Sequence, residues 1–293
     1  MIEDIGHGIH RVEIALPHTP LKSLNAYFIR GGKRNLLIDL GFNHPQCLES
    51  MQKAMDEIGF SMEDTDIFLT HHHADHSGLA EELATAKTSI ISSEFTAQFM
   101  THEINAFKGS FDDFLSQSGL VAAGLKSSDR ESLPGAQFRS QPIDKPEVIA
   151  EGEVIEVGEL RLVCLETSGH CAGHLCLYDS NLRILFSGDH VLGDITPNNT
   201  LNMPPWMAGI DPLGNYLKNL IKVSQLELDL ILPGHRAVIR NCYQRIEELL
   251  IHHQERQEKI TEIIGKSKLT SVEVAERVPW NISVREWNDF PLP

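Results

Sequence analysis

Residues Leu69–Gly78, Leu-Thr-His-His-His-Ala-Asp-His-Ser-Gly, hold four histidines and an aspartate within six positions. They follow Asp66–Leu69, an apolar segment that predicts a buried strand, and they lead into Ser77–Leu83, whose spacing predicts the first turns of a helix. The alternative is a solvated polar loop, or a run of histidines such as an expression tag. Because this run is internal, spaced and placed directly after an apolar strand, we favour a metal site.

The spacing inside the stretch predicts which side chains share a metal ion. In extended backbone, residues two apart point to the same face, so His71 and His73 are expected to converge on one ion. His72 points to the opposite face and is not expected to bind it. Asp75 and His76 lie at the corner between strand and helix, within reach of a second ion.

The composition limits the kinds of partner. The 293 residues carry a formal net charge of −16 at pH 7, and the isoelectric point is near 5.3. A nucleic-acid-binding surface is usually basic, so nucleic acid is not expected as a partner. A small-molecule substrate is expected instead. A homodimer is left open.

Three features predict a cytoplasmic location. The segment Met1–His7 is acidic and lacks the apolar core of a signal peptide. No stretch offers the roughly 18 apolar residues that cross a bilayer, so no membrane association is expected. The five cysteines include no Cys-x-x-Cys pair and are interpreted as reduced, mostly buried thiols.

The hydrophobic pattern predicts an α/β (α+β) protein in which two mixed sheets stack face to face with helices outside. Helices are predicted over 45–58 (ending at Gly59), 212–226, 244–264 and 270–278. Strands are predicted over 11–16, 25–29, 35–40, 88–92, 154–157, 160–167, 174–179, 183–187 and 228–232.

Residues 93–135 differ in character from the rest. They are rich in Phe and interrupted by glycines, and Glu94–Met100 and Phe111–Leu115 predict short amphipathic helices. We interpret the segment as a helical insertion that lids a pocket; a helical layer packed on the sheet is the alternative. A loop from Asn198 to Met207 is expected to shape the mouth of the site.

Four further acids or histidines follow predicted strands, where site residues commonly lie. They are Asp39, His170, Asp189 and His235. A glycine directly precedes the last three, which lets the backbone turn sharply and approach its neighbours closely. Each alone is a weak signal, because such a residue is usually a cap or turn residue, but together with the histidine cluster they form a strong one.

These segments resemble the five-motif signature of the metallo-β-lactamase superfamily. The matching segments are Thr70–Gly78, Thr167–His170, Ser187–Asp189 and Leu232–His235, with Asp39 as the first motif. The resemblance implies a four-layer αββα sandwich with the site at the edge between the sheets. Residues 1–240 are expected to form this domain, and residues 241–293 a C-terminal helical tail.

Carried over by position, the resemblance implies a centre of two divalent metal ions. One ion would be bound by His71, His73 and His170, and the other by Asp75, His76 and His235, with Asp189 bridging both. Asp39 would orient the loop and the ligands without touching metal. Five imidazoles and two carboxylates, with no thiolate, suit zinc first and iron or manganese as alternatives.

Such a centre suits hydrolysis. Two ions roughly 3.5–4 Å apart can share a hydroxide and lower the pKa of water toward ~7, so that a nucleophile exists at neutral pH. One ion would polarise the carbonyl or phosphoryl oxygen of the substrate. Asp75 is expected to orient the hydroxide and to take its proton when the tetrahedral intermediate collapses.

Motif details distinguish the branches of the superfamily. Asp189 resembles glyoxalase II-type thioesterases, lactonases and nucleases, whereas true β-lactamases usually have Cys or Ser there. The last motif, followed by a charged helix and Thr270–Glu276, resembles the β-lactamase-like-protein-2 group. Those proteins carry a small winged-helix-like tail, and a partial one is expected here because the chain stops at Pro293.

Residues beside the ligands each allow two interpretations. Arg236 stands where the family usually has Gly; a cation there suits a substrate carboxylate or phosphate, and a surface charge is the alternative. His190 is expected to hydrogen-bond near the ligands, with proton donation to the leaving group as the alternative. Cys171 is interpreted as a buried neutral thiol. His252 and His253 are expected to be solvated.

We therefore predict a dinuclear metal-dependent hydrolase that acts on a small ester or thioester through a metal-bridging hydroxide, as glyoxalase II does. A metal-dependent phosphodiesterase or ribonuclease is one alternative, which the acidic balance disfavours. An iron-dependent persulfide dioxygenase on the same fold is another. A non-catalytic metal-binding protein is disfavoured because all seven ligand positions are filled.

Overall fold

The computed structural model describes residues 1–101, 136–199 and 210–280, and these form two β-sheets flanked by helices. The first sheet contains β1 Ile2–Gly6, β2 Ile9–Ala15, β3 Ser23–Ile29, β4 Asn35–Ile38, β5 Thr65–Phe68, β6 Ile90–Ser92 and β7 Glu147–Val148. The second contains β8 Val154–Val157, β9 Leu160–Glu166, β10 Leu175–Asp179, β11 Ile184–Gly188 and β12 Leu230–Pro233. The helices are α1 Pro45–Ile58, α2 Ala74–Ser77, α3 Ala80–Leu83, α4 Glu94–Met100, α5 Pro212–Ser224, α6 Cys242–Ile264 and α7 Ser271–Ala275.

The sheet topology brings the carboxyl ends of four strands to one edge. In the first sheet β1 to β4 are antiparallel neighbours, and β4 to β7 then run parallel. In the second sheet, whose order is β12-β11-β10-β9-β8, β11 and β12 are parallel and the other pairs are antiparallel. Parallel neighbours end at the same edge, so β4 with β5 and β11 with β12 deliver their following loops together.

Three apolar clusters separate four layers. The cluster between the sheets includes Tyr27, Phe68 and Phe186. A second cluster packs the outer face of the first sheet, including Phe28, against α1, and a third packs the outer face of the second sheet against α5 and α6. Tyr27 and Phe28 point to opposite layers because successive strand residues alternate faces. This is the αββα sandwich that the resemblance implies.

Local sequence signals place α1. Pro45 occupies its first turn, where a missing N–H has no cost, and His44 Nδ1 accepts a hydrogen bond from Gln46 N at 3.2 Å. Gly59 ends the helix with φ 68°, a left-handed conformation that glycine adopts readily. The predicted bounds of this helix are therefore confirmed.

Other predictions need correction. The helix predicted from Ser77 begins at Ala74, directly after the histidines, and is divided into α2 and α3. The short edge strands β1 and β7 were not predicted, and β7 is exposed. Helix α4 agrees with the prediction, whereas Phe111–Leu115 and most of the loop predicted to shape the mouth lie outside the described residues.

The tail helices also form. Near its start α6 packs through Ile246 and Leu249 into the cluster on the second sheet, and α7 carries a capping box between Thr270 and Glu273. The division of the chain at residue 240 stays a prediction, as does a winged-helix-like tail. Across residues 1–101, 136–199 and 210–280, no helix combines the length and apolarity needed to span a membrane.

Candidate metal centre

The loops that follow β4, β5, β9, β11 and β12 meet at one edge of the sandwich. Three backbone hydrogen bonds tie them together there. Leu175 N donates to Thr70 O at 2.9 Å, Asn25 N to Gly234 O at 2.7 Å, and Gly234 N to Gly188 O at 2.8 Å. The first two bonds join one sheet to the other, so the loops of both sheets are fixed in one frame.

Three histidines form what we call the nitrogen group: His71, His73 and His170. His73 Nδ1 lies 3.0 Å from His71 Nε2 and 2.9 Å from His170 Nε2. A tetrahedral metal with bonds of about 2.0–2.1 Å to nitrogen places such atoms about 3.3 Å apart. The three ring nitrogens are therefore spaced nearly as ligands of one ion. Cys171 Sγ lies close by, and all four ligand atoms are within 4.8 Å of one another.

A second set, the carboxylate group, consists of Asp75, His76 and His235. Asp75 Oδ2 lies 3.3 Å from His235 Nε2 and 4.0 Å from His76 Nε2. The ligand atoms of this group also lie within 4.8 Å of one another. The arrangement has the size and the donor types of a second ion-binding position.

Asp189 stands between the two groups and faces both. Its Oδ2 lies 3.7 Å from His170 Nε2 of the nitrogen group. Its Oδ1 lies 3.4 Å from His76 Nε2 and 3.5 Å from His235 Nε2 of the carboxylate group. One carboxylate thus presents a different oxygen to each position.

The outer nitrogens of two histidines are held by carbonyl oxygens. His170 Nδ1 donates to Asn198 O at 2.6 Å, and His235 Nδ1 donates to Ser23 O at 2.8 Å. A carbonyl oxygen only accepts, so each Nδ1 carries a proton and Nε2 is the nitrogen left to bind a metal. Such outer contacts fix the tautomer and the orientation of a metal-binding imidazole.

Asp39 accepts hydrogen bonds from two residues of the histidine-rich segment, Thr70 and His76. Its Oδ2 accepts from His76 Nδ1 at 2.7 Å and from Thr70 Oγ1 at 2.8 Å, and its Oδ1 accepts from Thr70 N at 2.9 Å. Thr70 Oγ1 in turn lies 3.0 Å from His71 Nδ1. Asp39 itself has φ 55°, an uncommon conformation for a residue other than Gly that is often found at functional sites.

Burial dominates the protonation of the nitrogen group. It lowers the pKa of His71 and His73 well below the ordinary value, and neighbouring imidazoles lower it further. Burial also lowers the pKa of His170, although Asp189 opposes this. These three rings are therefore neutral at pH 7, the form in which imidazole binds a metal.

The carboxylate group behaves in the opposite way. Burial favours neutral His76, but the carboxylates of Asp39 and Asp189 outweigh it and raise its pKa well above the ordinary value. Burial likewise opposes protonation of His235, and Asp189 and Asp75 reverse this and raise its pKa. In the metal-free protein these two rings carry protons that metal binding must displace.

Gly234 allows the close approach of the groups. A Cβ atom at this position would lie 2.7 Å from His76 Cε1 and 2.8 Å from Asp189 Oδ1. No real side chain fits such spacing, so the glycine before His235 is needed for packing against the cluster. The expectation that glycine permits close approach is confirmed here.

The arrangement of three buried donor atoms suits a shared metal ion better than hydrogen bonds between them. His76 Nε2, His235 Nε2 and Asp189 Oδ1 are buried and have no hydrogen-bond partner among the described residues. Their mutual contacts of 3.4–3.5 Å are charge contacts without hydrogen-bond geometry. Buried polar atoms usually have partners, and a shared cation would satisfy all three.

Two histidines beside the candidate ligands, His72 and His190, lie outside the converging groups. His72 turns away and stacks on Phe99, with ring centroids 4.1 Å apart. The buried ring of His190 packs edge-on against Tyr216 at 5.2 Å, and burial lowers its pKa to about 3. No hydrogen bond joins His190 to the cluster within the described chain, so its role stays a prediction.

Arg236 has an unusual backbone conformation, and His253 is buried where solvent exposure was expected. Arg236 has φ 70°, the conformation that the family glycine would adopt at no cost. Its guanidinium lies 3.4 Å from Pro20 O and 3.9 Å from Asp194 Oδ1, and a role in substrate binding stays a prediction. The expectation that His253 is solvated is wrong, because its ring is buried against Tyr216.

His174 was expected, from its place four residues after His170, to have a structural or supporting role, whereas Asn25 and Tyr27 escaped the sequence reasoning. His174 Nε2 accepts from Asp189 N at 3.1 Å, and its Nδ1 lies 2.8 Å from Thr167 Oγ1. Asn25 Nδ2 and Tyr27 Oη both donate to Pro233 O, at 2.9 and 2.7 Å. These contacts span up to 208 positions, and only the placement of Thr167 and His174 around a motif histidine gives a local signal.

Comparison with known proteins agrees with this geometry. The family model described as Metallo-beta-lactamase superfamily matches residues 20–235. The chain is 22% identical to the Beta-lactamase-like protein 2 homolog of Caenorhabditis elegans over 99% of this chain and 84% of that protein. It is 27% identical to the Acyl-coenzyme A thioesterase MBLAC2 of Bos taurus, over 72% of each chain.

Two further matches bear on length and fold. The chain spans 62% of the length of the Lactamase-like protein aptB of Emericella nidulans, with 24% identity over 85% of this chain. The crystal structure of a metallo-beta-lactamase family protein from Thermus thermophilus superposes with a TM-score of 0.77. That match has 26% identity and covers 89% of this chain and 84% of that one.

Proposed function

The chain belongs to the metallo-beta-lactamase superfamily, and we propose that it is a dinuclear metal-dependent hydrolase of small esters or thioesters. Its relatives support a metallo-hydrolase at the level of the superfamily. The observation that carries the dinuclear proposal is the position of Asp189, whose two oxygens face different ligand groups. A carboxylate placed in this way suits a bridge between two ions.

The residues that would hold the ions are those of the two groups. In the proposal, His71, His73 and His170 hold one ion, Asp75, His76 and His235 hold the other, and Asp189 belongs to both. Divalent ions bound there would supply Lewis acidity toward the substrate and would lower the pKa of the attacking water. Zinc suits the imidazole-rich donor set best, with iron or manganese as alternatives.

Asp75 is proposed to handle the proton. Its Oδ2 contacts His235 Nε2, and the neighbouring imidazoles keep its pKa lowered although burial opposes them, so it is ionised and able to accept a proton. The water oxygen bonds to the acyl carbon, Asp75 takes a water proton, and the bond from carbon to the leaving oxygen or sulfur breaks. The proton then passes to the leaving group, which balances the reaction.

A thioester is favoured over an antibiotic or a nucleic acid. Asp189 resembles the residue found in glyoxalase II-type thioesterases, and one relative is named as an acyl-coenzyme A thioesterase. The net charge of −16 opposes binding of a phosphate polymer. A small acyl thioester is therefore the first substrate to test, and a cytoplasmic location and a homodimer stay predictions.

Metal content and a substrate panel test the proposal together. Zinc-loaded protein should contain two ions per chain and hydrolyse short acyl thioesters, with activity lost on chelation and restored by zinc. The change Asp189→Asn should remove at least one ion and nearly all turnover, whereas Asp56→Asn, a control at an exposed position on α1, should change neither. Full turnover of the chelated protein would overturn the proposal.

The panel also separates the alternatives. Zinc- or manganese-dependent cleavage of a phosphodiester, with thioesters untouched, would assign a phosphodiesterase. Oxygen uptake by iron-loaded protein with a persulfide would assign a dioxygenase. For the proton role the test is Asp75→Asn: we expect a deep loss of turnover with the nitrogen-group ion retained, and unchanged turnover with both ions bound would show that the role is wrong.

A further inference from the structure

Cys171 lies beside the nitrogen group but has no part in the ligand set described so far. Its side chain is 1% exposed. Its Sγ and one ring nitrogen from each of His71, His73 and His170 lie within 4.8 Å of one another. The thiol therefore shares the space in which the first ion would be bound.

The other contacts of Cys171 do not account for this placement. Cys47, Cys176 and Cys242 each donate a thiol hydrogen bond to a backbone carbonyl oxygen, at 3.2, 3.4 and 3.5 Å, and Cys164 packs in the apolar cluster between the sheets. Within the part of the chain that the structure describes, no hydrogen bond is made by Cys171 Sγ. A buried thiol that makes no hydrogen bond there and lies within 4.8 Å of three imidazole nitrogens is placed as a metal ligand would be.

The loop around Cys171 holds the sulfur in place. Gly169 N donates to Cys171 O at 3.2 Å, and Gly173 N donates to Ser168 Oγ at 2.9 Å, which closes a tight turn around His170. A Cβ on Gly169 would lie 2.5 Å from Tyr216 Cα, so the turn is packed firmly against α5. The sulfur is thus positioned by rigid backbone rather than by a flexible stem.

We propose that Cys171 is a fourth protein ligand, a thiolate, for the ion held by His71, His73 and His170. The proposal rests on the metal centre proposed above. It adds one sulfur to the three nitrogens and the shared Asp189 oxygen at the first position, which favours zinc or cobalt over manganese because thiolate is a soft ligand. The proposal departs from the sequence-based expectations of a ligand set without thiolate and of Cys171 as a neutral thiol, and it gives the two ion positions different metal preferences.

Cobalt(II) gives a readout that does not depend on activity. Cobalt-loaded wild-type protein should show visible d–d bands and a near-ultraviolet thiolate-to-cobalt charge-transfer band. Cys171→Ser should keep the d–d bands and lose the charge-transfer band. Cys242→Ser, a matched buried change outside the cluster that keeps a donor toward Ile239 O, should keep both.

The possible outcomes separate this inference from the proposed function. Cobalt d–d bands without a charge-transfer band in the wild type, or a charge-transfer band that persists in Cys171→Ser, overturn the thiolate ligand alone. Failure to bind cobalt at all overturns the metal centre as well. If Cys171→Ser does not fold, X-ray absorption of zinc-loaded wild-type protein decides, because a thiolate ligand requires a sulfur neighbour at about 2.3 Å.

A competition experiment measures the consequence for metal choice. We expect Cys171→Ser to reduce the preference for zinc over manganese at the first position by about tenfold or more, a change of the size seen when metal surroundings are altered. Cys242→Ser should leave the preference unchanged. An unaltered preference in Cys171→Ser would contradict the proposal.

Discussion

The nitrogen group and the carboxylate group lie side by side but are prepared for metal in opposite ways. In the first, burial keeps His71 and His73 neutral, so the donor atoms are ready before an ion arrives. In the second, carboxylates raise the pKa of His76 and His235, so charge pairs hold the side chains in place until protons are displaced. Histidine is thus neutral in the first group and protonated in the second, because carboxylates next to the rings of the second group raise their pKa.

Removal of one ligand from each group should have the largest effect. His170→Ala should lose the nitrogen-group ion and His235→Ala the carboxylate-group ion, so each variant keeps about one ion per chain. Turnover should fall by more than the roughly 100-fold that loss of an outer partner costs. Elemental analysis with thioester assays measures both, and His252→Ala, an exposed histidine on α6, is the control. Loss of both ions in both variants would mean that the groups are one unit.

Asp39→Asn should have the next largest effect, and on one group more than on the other. The change removes the charge that accepts from His76 Nδ1 and Thr70 while keeping shape, and Asn tolerates a positive φ well. We expect the carboxylate-group ion to bind about 10–100-fold more weakly. Chelator competition measures this, with the exposed Asp56→Asn as control. Equal weakening of both ions would show that Asp39 supports the two groups alike.

Lowering the pH should release the ions of the two groups at different pH values, without any mutation. Since the pKa values of His76 and His235 are raised, each carries a proton that the ion must displace, and affinity falls about tenfold per pH unit for each such proton. The neutral nitrogen group loses affinity only at lower pH. On lowering the pH from about 8 to about 6, the carboxylate-group ion should leave first. Metal content after equilibration with a weak chelator tests this, and simultaneous release would contradict it.

The smallest effect is expected at His253, a buried imidazole outside the two ligand groups whose pKa is also lowered mainly by burial. Burial, with help from His252 and Arg256, lowers its pKa to about 4, below the value of about 6.5 in an unfolded chain. Its contribution to stability is therefore complete above pH 6.5 and is lost as the pH falls toward 4.

The measurement is the free energy of unfolding of the metal-free protein at pH 7 and near pH 4. Between these pH values His253→Leu should lose about 1–2 kcal/mol less free energy of unfolding than the wild type, because solvent screening reduces the effect of the full pKa shift. An exposed histidine away from α6 provides the control, and His18→Asn should follow the wild type. Identical losses in the wild type and in His253→Leu would show that this ring does not titrate as described.

Local signals in the sequence were sufficient for much of the fold. Pro45 and Gly59 delimit α1, and alternation along β3 assigns Tyr27 and Phe28 to opposite layers. Edge strands such as Glu147–Val148 are exposed on both faces, so they carry no alternating pattern to find. Helix α2 starts early, at Ala74, and buries Ala74, His76 and Ser77, which local propensity does not predict.

The candidate ligands and the supporting Asp39 were predicted because motifs preserve spacing, whereas the supports Asn25 and Tyr27 were not. Asn25 reaches Pro233 across 208 positions. No local pattern encodes contacts of that range. The burial of His253 was missed for the same reason, since its partner Tyr216 belongs to a different helix.

The hydrogen bond from Leu175 N to Thr70 O joins the two sheets beside the cluster, and the candidate ligands straddle that junction. Those near Thr70 follow the first sheet, whereas His170, Asp189 and His235 follow the second. An ion bound here would link one sheet to the other. At a free-ion concentration of 100 times the dissociation constant, binding would add about 2.7 kcal/mol to the free energy of unfolding. Loss of metal would therefore lower the stability of the whole sandwich. Thermal unfolding or proteolysis would detect the change, and cleavage would begin where the two sheets meet.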